Sequence, residues 1–397
     1  MVLGVGGGIA AYKVCELLRR LTESGHQVRV VPTADALRFV GEPTWAALSG
    51  QPVSTGVWDE VHEVPHVRIG QSADLVFVAP ATANILAKAA AGLADDLLTN
   101  TLLTARCPVV FAPAMHTEMW EHPATRANVA TLRSRGAIVL EPAEGRLTGA
   151  DTGRGRLPEP SELFEAARRV LRRGAAVPDL AGRRVVISAG GTREAIDPVR
   201  YIGNHSSGKQ GYALARTAAA RGADVTLVSA NVSLPDPAGV RVVRVESARE
   251  LAGAMGAERV GADAVVMTSA VADFRPASSA ASKIKKSGAA PAPIELVENP
   301  DVLAGLVVSR EKEGLAQTIV GFAAETDDVI ANGRAKLARK GCDLLVVNQV
   351  GGGRAFGTED NQAIVLGADG TAVEIPFGPK EDLADRVWDL VAPRLPS

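Results

Sequence analysis

The sequence predicts an α/β protein made of two doubly wound domains, each built on a mainly parallel sheet. Three observations carry that expectation. Short, almost unbroken apolar runs recur along the chain, helix-length amphipathic stretches separate them, and the alternation breaks once at a Gly/Pro-rich joint over 174–182 before restarting. Unbroken apolar runs are typical of strands covered on both faces, and strand–helix alternation produces parallel βαβ units. A chain of 397 residues also exceeds what one hydrophobic core usually serves.

In the first half the strand-like runs are 2–5 (VLGV), 28–31, 74–80, 108–113 and 137–141, with helices expected over 9–24, 82–91 and 122–135. The stretch 161–173 reads as a helix opened by Ser161 as N-cap, with an acidic first turn. Gly and Pro then break the pattern, so the domains are expected to be 1–175 and 176–397. In the second half the runs are 184–190, 224–230, 263–269, 318–324 and 343–349, and 275–293, rich in Ala, Ser, Pro and Lys, reads as a loop. In such sheets ligands bind past the carboxyl ends of the strands, so the residues there are the candidates.

Composition narrows the partners. Forty-three Lys and Arg against forty-five Asp and Glu leave a formal charge of −2, with no basic tail for nucleic acid. The longest apolar runs fall short of the ~20 residues a bilayer requires, and the start lacks a basic signal segment, so a cytoplasmic protein without a membrane partner is expected. Cys15, Cys107 and Cys342 form no CxxC pair, which argues against a disulfide framework or a zinc site, and Cys107 reads as a core thiol.

The stretch GVGGGIAAYK (4–13) follows the first strand, and the backbone N–H groups of Gly6, Gly7, Gly8 and Ile9 are placed to hold a phosphate at a helix start. A glycine turn used only for tight packing is the alternative. The second strand ends in VVPT (30–33) with no acid for a ribose diol, which favours a mononucleotide over a dinucleotide. APATAN (79–84), with Thr82 and Asn84, and APAMHTEMW (112–120), with Ala114 and Met115, follow two further strands and should converge on that turn.

GVGGGIAAYK, PHVRIGQSADLVFVAPATAN (65–84), PAMHTEMW (113–120) and LTGADTGRGRL (147–157) resemble, in order and spacing, the flavin-containing cysteine decarboxylases, specifically the phosphopantothenoylcysteine decarboxylase family. The resemblance implies a flavodoxin-like domain that binds FMN. In that family the substrate thiol is oxidised to a thioaldehyde, carbon dioxide leaves, and the enethiolate is protonated and reduced back. It implies His66 as the active-site histidine, a suitable acid/base because imidazole titrates near neutrality. His26 and His62 have no such support and read as solvated. Two departures stand out. His116 replaces the family's asparagine that contacts the substrate carboxylate, and Gly149 and Ala150 replace the flap's catalytic cysteine and the glycine after it. Glycine carries no proton, so His116, or a water it orients, is expected to supply one.

In the second half, SAGGTREAIDPVRYIGNHSSGKQG (188–211) sets Gly190 and Gly191 after a strand, then Asn204, Ser206, Ser207 and Gly208 before a helix beginning near Lys209, which suits a polyphosphate. No Walker A sequence occurs. TSAVADFR (268–275) puts Asp273 past a strand, and KIKK (283–286) clusters three lysines, which by themselves mark either a solvated surface or a loop over a phosphoanhydride. With NPD (299–301), GFAAET (321–326) and VVNQV (346–350), these motifs resemble the phosphopantothenate–cysteine ligase family over 183–390.

The bacterial form of that family uses CTP to convert the phosphopantothenate carboxylate into an acyl-cytidylate, from which the cysteine amine displaces CMP. The match implies that Asn204 contacts the acyl-phosphate, Lys283 stabilises phosphate charge and Asp273 fixes the ribose or cytosine. Met267, Thr268, Ser269, Asn299, Pro300, Asp301, Val302 and Phe322 would line the nucleotide pocket. Lys336 and Lys340, one helical turn apart, either reach the triphosphate or lie on a solvated face. Mg²⁺ is expected with CTP, although no ligand set is visible.

Together the resemblances imply one Rossmann-like flavoprotein half and one ligase half acting in coenzyme A biosynthesis, with trimers formed through the first and dimers through the second. Two other readings remain: an active ligase joined to a flavin-binding regulatory or structural module, and an NAD-dependent oxidoreductase, which the missing ribose acid disfavours.

Overall fold

The computed structural model describes residues 1–53, 65–146, 152–174, 178–285, 293–325, 328–349 and 358–396. It divides into two compact units, Met1–Val177 and Pro178–Ser397.

In the first unit, strands β1 (Val2–Val5), β2 (Arg29–Pro32), β3 (Val76–Ala81), β4 (Val109–Pro113) and β5 (Ile138–Val139) form one parallel sheet in the order β2-β1-β3-β4-β5. Helices α1 (Ala11–Glu23), α2 (Glu42–Ser49), α3 (Pro65–Ser72), α4 (Ala83–Ala91), α5 (Leu97–Thr104), α6 (Thr117–Glu121), α7 (Pro123–Ser134) and α8 (Pro160–Arg173) surround it. Helix α1 shows why: Ala11, Val14, Leu17, Leu18 and Leu21 recur at helical spacing and are all buried.

Several boundaries differ from the sequence expectation. Strand β5 pairs only Ile138 and Val139 with Val110 and Phe111; Leu140 N–H still donates to the Phe111 carbonyl at 2.9 Å, but Pro113 has no N–H to make the next rung. Helix α8 is capped by Glu159 rather than Ser161; Pro160 presets the first helical φ, and Glu159 and Glu162 satisfy each other's backbone N–H groups. The single helix expected over 122–135 is preceded by a separate short one, and His122 divides them by accepting from Ala124 N–H at 3.2 Å. An antiparallel ladder of β6 (Ala143–Arg146) and β7 (Thr152–Arg156) was not expected; apart from Ala143 its residues are polar or Gly and carry no apolar alternation.

The second unit holds β8 (Arg184–Gly190), β9 (Arg193–Ala195), β10 (Tyr201–Gly203), β11 (Asp224–Ala230), β12 (Val240–Val245), β13 (Ala264–Met267), β14 (Phe274–Pro276), β15 (Leu296–Glu298), β16 (Thr318–Glu325), β17 (Leu344–Gln349), β18 (Asp360–Gly367) and β19 (Ala372–Pro379). Its helices are α9 (Lys209–Ala220), α10 (Ala248–Glu258), α11 (Val302–Glu313), α12 (Val329–Lys340) and α13 (Lys380–Val391). The large sheet runs β12-β11-β8-β13-β16-β17-β18-β19, parallel as far as β17 and antiparallel in its last two strands. Alternate strand residues feed two cores: Val185, Ile187 and Ala189 pack on one face, while Val186 and Val265 pack on the other. The stretch read as a loop over 275–293 begins in a ladder, since Phe274 pairs with Glu298 and Pro276 with Leu296.

Helix α13 lies on α9. Trp388 is wholly buried there and donates its indole N–H to the Leu214 carbonyl at 3.0 Å. Beside it, buried Arg221 is held by Asp179, Asp385 and Asp389. Trp388→Ala should therefore destabilise the second unit by about 3–5 kcal/mol, through lost burial and an orphaned carbonyl. Urea unfolding of the full chain checks this; an unchanged midpoint for that unit would contradict it.

Candidate active sites

Strand order places a crevice in each unit. In the first, β1 leads to β2 on one side and β3 on the other, so the helices leave opposite faces and the carboxyl ends part between β1 and β3. Gly6 N–H donates to the Pro80 carbonyl at 3.1 Å, and Ala114 N–H to the Ala81 carbonyl at 3.1 Å, tying the ends of β1, β3 and β4 together. A Cβ on Gly6 would lie 2.4 Å from the Pro80 oxygen, and one on Gly7 2.3 Å from Asp35 Cβ. Only glycine permits either approach. Gly8, by contrast, faces open space beside the start of α1, with nothing nearer than Thr82 Cγ2 at 3.9 Å. That cradle fits a phosphomonoester.

Around it, Thr82 caps α4 by accepting from Ile85 N–H at 3.3 Å, while Ile9 and Asn84 are exposed. The acid absent from the end of β2 is present three residues later: Asp35, exposed, packs its backbone against Gly7. Sequence reading stopped at the strand end and missed it.

The ladder β6–β7 sits on the loop after β4. Met115 N–H donates to the Gly155 carbonyl at 2.9 Å. A side chain on Gly155 would strike the Met115 oxygen, and one on Gly153 would strike Thr117 Oγ1. His116 caps the backbone of α6 without a side-chain capping bond, leaving its exposed imidazole clear of that role. Gly149 and Ala150, between β6 and β7 in the chain, lie outside the described residues, as does His62. His66 is in the first turn of α3, not in a loop; α3 packs on α5, and Thr104 Oγ1 donates to the His66 carbonyl at 2.7 Å. Its Nδ1 is buried without a hydrogen-bond partner. No described hydrogen bond joins that side chain to the glycine-turn crevice.

Of the histidines without support, His26 is half-buried, and burial, ahead of nearby positive charge, lowers its pKa. Burial raises the Cys107 thiol, although the residue is only half-buried and packs against the core rather than inside it.

The second crevice opens between β8 and β13, where the strand order again reverses. Gly190 adopts φ +89°, and a Cβ there would lie 1.9 Å from the Ala230 oxygen. Gly191 passes so close to the Asn204 carbonyl that a Cβ would lie 2.8 Å from it. The turn is therefore pressed against the loop Asn204–Gly208, whose Gly208, at φ +75°, caps α9. Ser206 and Ser207 stand in that loop, exposed and half-buried. On the other side Asn204 Nδ2 donates to the Val271 carbonyl at 3.0 Å, and Asn299 Nδ2 to the Ala272 carbonyl at 2.8 Å. Asp273 is exposed beside them, its carbonyl taken by Asn299 N–H at 2.8 Å.

Thr268 and Ser269 face the crevice, and Ser269 Oγ is buried without a partner. Met267 and Val302, in contrast, pack their side chains in the core, so they present only backbone. Phe322 is half-buried against the opposite core cluster. Pro300 is exposed, and Asp301 caps α11 by accepting from Ala304 N–H at 3.1 Å. Burial raises the Asp301 pKa, but the Lys340 ammonium and that N–H outweigh it and leave the carboxyl below its ordinary value. Lys336 pairs with Glu325 at 3.3 Å, so both helix lysines hold carboxylates rather than standing free. Lys283 is exposed.

Three site-forming residues escaped sequence reading. Ser188 and Thr192 accept backbone N–H groups across the crevice, and Asn231, at φ +54°, donates to the Gly191 and Glu246 carbonyls at 2.9 Å each. The available signals were a polar residue inside an apolar run and an Asn directly after a strand, where left-handed backbone favours that type. Among the described residues no group of three or more His, Cys, Asp or Glu is arranged for a metal ion.

Two family profiles cover this architecture: "Flavoprotein" matches residues 1–172, and "DNA/pantothenate metabolism flavoprotein C-terminal domain" matches 180–395. The coenzyme A biosynthesis bifunctional protein CoaBC of Mycolicibacterium smegmatis is 60% identical over 100% of this chain and 98% of its own length. The same-named protein of Mycobacterium tuberculosis is 61% identical over 98% of this chain and 96% of its own, and that of Vibrio cholerae 44% over 98% and 97%. With both halves matched and the likeness running end to end, the chain belongs to the CoaBC family of bifunctional coenzyme A biosynthesis proteins.

Proposed function

We propose that this enzyme performs two consecutive steps of coenzyme A biosynthesis. Residues 176–397 join 4′-phosphopantothenate to L-cysteine with CTP, and residues 1–175 decarboxylate the product to 4′-phosphopantetheine with FMN. The observation that carries the reading is the convergence at the β8/β13 crevice of the Gly190–Gly191 turn, the α9 N-terminus, and Asn204 tied to the strand-end loop.

In the ligase half, the phosphopantothenate carboxylate attacks the α-phosphorus of CTP and pyrophosphate leaves. The cysteine amine then attacks the acyl carbon, CMP leaves, and the amine sheds a proton to solvent. Backbone N–H groups at Gly190, Gly191 and the start of α9 are positioned to hold phosphate oxygens, with the hydroxyls of Ser206 and Ser207 beside them. Asn204, steadied by Val271, turns its amide toward the reacting acyl-phosphate, and Lys283 offsets the charge developing there. Asp273, Asn299, Pro300 and Asp301 bound the nucleoside end together with Thr268, Ser269 and Phe322. Binding the triphosphate would require Lys336 and Lys340 to leave Glu325 and Asp301. Mg²⁺ would arrive on the triphosphate oxygens, since the described protein residues provide no ligand set.

In the decarboxylase half, the open cradle at Gly8 and the start of α1 fits the FMN phosphate, with Gly6, Gly7, Ile9, Thr82, Asn84, Ala114 and Met115 around it. Bound FMN would take two electrons from the substrate thiol and return them after carbon dioxide is lost. His66 is the acid/base, and His116 binds the substrate carboxylate and delivers the proton for which Gly149 has no group. Exposed Ile9 and Tyr12 on the first unit, and Tyr201 and Phe274 on the second, suit contacts between copies, trimeric through the first unit and dimeric through the second. No helix among the described residues is long and apolar enough to cross a membrane, and use of CTP and free cysteine is consistent with the cytoplasm.

Lys283→Gln should slow acyl-cytidylate formation by about 10²–10³-fold, the scale set by removing one charge-stabilising group from a transition state. Rapid-quench analysis with CTP reads this directly, and an unchanged rate would return Lys283 to the solvated surface. His66→Asn should retain the flavin spectrum and abolish carbon dioxide release, because the glycine cradle does not depend on that side chain. Normal release would move the acid/base elsewhere; failure of the wild type itself to release it would make the first half a flavin-binding regulatory or structural module. His116→Asn should stall at the unsaturated enethiol, detected by product mass. Saturated thiol formed at the wild-type rate would rule out His116 as proton donor.

A further inference from the structure

The lysine-bearing stretch is gripped by a clasp that the reaction above leaves unused. Asp197 lies in the turn between β9 and β10 with its side chain withdrawn from solvent. Its Oδ1 accepts Val199 N–H at 2.8 Å and Arg200 N–H at 2.9 Å; its Oδ2 accepts Arg200 Nε at 2.9 Å and Ile284 N–H at 3.2 Å. Arg200 completes the grip by donating from Nη2 to the Ile284 carbonyl at 3.0 Å. The Ile284 N–H belongs to the peptide group that follows Lys283 Cα. One ion pair thus holds both main-chain groups of the residue beside Lys283. Four residues before Ile284, Ala280 N–H donates to the Ile196 carbonyl at 2.9 Å, so the same turn ties the stretch twice.

The turn also reaches the other side of the reaction. Strand β10 ends at Gly203 and delivers the chain to Asn204, which is fastened to Val271. Lys283 and Asn204 are therefore referred to one short hairpin rather than to two independent loops. Such a frame removes freedom that an exposed lysine would otherwise have to lose on reaching a transition state. The Arg200 guanidinium, followed by the Val199, Ile284 and Arg200 N–H groups, outweighs burial and holds the Asp197 carboxyl far below the ordinary carboxylate range.

We propose that Asp197, acting with Arg200, is a positioning residue that sets the stance of Lys283 for acyl-cytidylate formation. This rests on the role of Lys283 given above. The test is a double-mutant cycle on the full chain, following pyrophosphate release from CTP with phosphopantothenate present. Asp197→Asn should lower the rate by about tenfold to a hundredfold, as a misplacement near 1 Å does. In a Lys283→Gln background the same change should matter less than about twofold, because nothing remains to be positioned. Arg200→Lys, which keeps the charge but gives up the planar fork on Asp197 and the Nη2 bond to Ile284, should show a smaller loss that also vanishes in that background; its half-exposed side chain makes it usable if Asp197→Asn fails to fold. Wild-type rates in both variants, or losses equal in the two backgrounds, overturn the proposal and leave Asp197 a purely structural anchor. A wild-type rate in Lys283→Gln alone instead overturns the role of Lys283 and the positioning proposal with it.

Discussion

The second unit depends on how the sheet stays satisfied where it splits. The ladder between β8 and β13 ends at the pair Ser188 and Met267, and beyond it the strands must diverge to make room for a ligand. Divergence strands the N–H groups of Thr268 and Ser269, and an unpaired buried N–H costs about 1–3 kcal/mol. Ser188 resolves this. Its buried hydroxyl accepts both, at 3.0 and 3.1 Å, while Thr268 Oγ1 donates back to the Ser188 carbonyl. Beyond the gap Ala270 N–H returns to the Gly190 carbonyl at 2.8 Å, and Thr192 N–H to Ala270 at 3.2 Å. The crevice is thus a bounded opening in a hydrogen-bonded sheet, and Gly190, Gly191 and Asn204 inherit their positions from its rim.

The first unit solves the same problem by omission of atoms. Gly6 and Gly7 let the chain pass against the ends of β3 and the loop after β2, and Gly153 and Gly155 let the β7 backbone lie directly on Met115 and Thr117. Close backbone contact transmits position without side chains, which is why a polar, glycine-rich hairpin can register accurately over His116. Thr117 Oγ1, against which Gly153 packs, and His66 Nδ1 on α3 are each buried without a hydrogen-bond partner.

Charge is arranged differently in the two roles it plays. Lys336 and Lys340 sit in partly exposed pairs with Glu325 and Asp301, and such pairs contribute only ~0–1 kcal/mol, so an incoming polyphosphate would displace them at small cost. Asp197 is the opposite case: buried, with its oxygens occupied, it supports geometry and does not exchange partners.

The sequence by itself determined the two sheets and the motifs at their carboxyl ends, because apolar runs buried on both faces and glycine turns leave local, periodic marks. It did not determine the β6–β7 hairpin, whose pairing relies on backbone alone, or the helix start at Pro160, where Pro and two glutamates outweighed a good N-cap serine. Tertiary structure also decided which motif residues reach a crevice. Met267 and Val302 follow the pattern yet point into the core, since successive strand residues alternate faces and a helix's first residue packs inward, while Asp35, outside every motif, and Asp197, inside the 188–211 stretch but not singled out there, stand beside the glycine turn and the lysine loop. Those placements arise from contacts between segments far apart in the chain, whose physical cause is close packing and hydrogen-bond satisfaction rather than anything local order records.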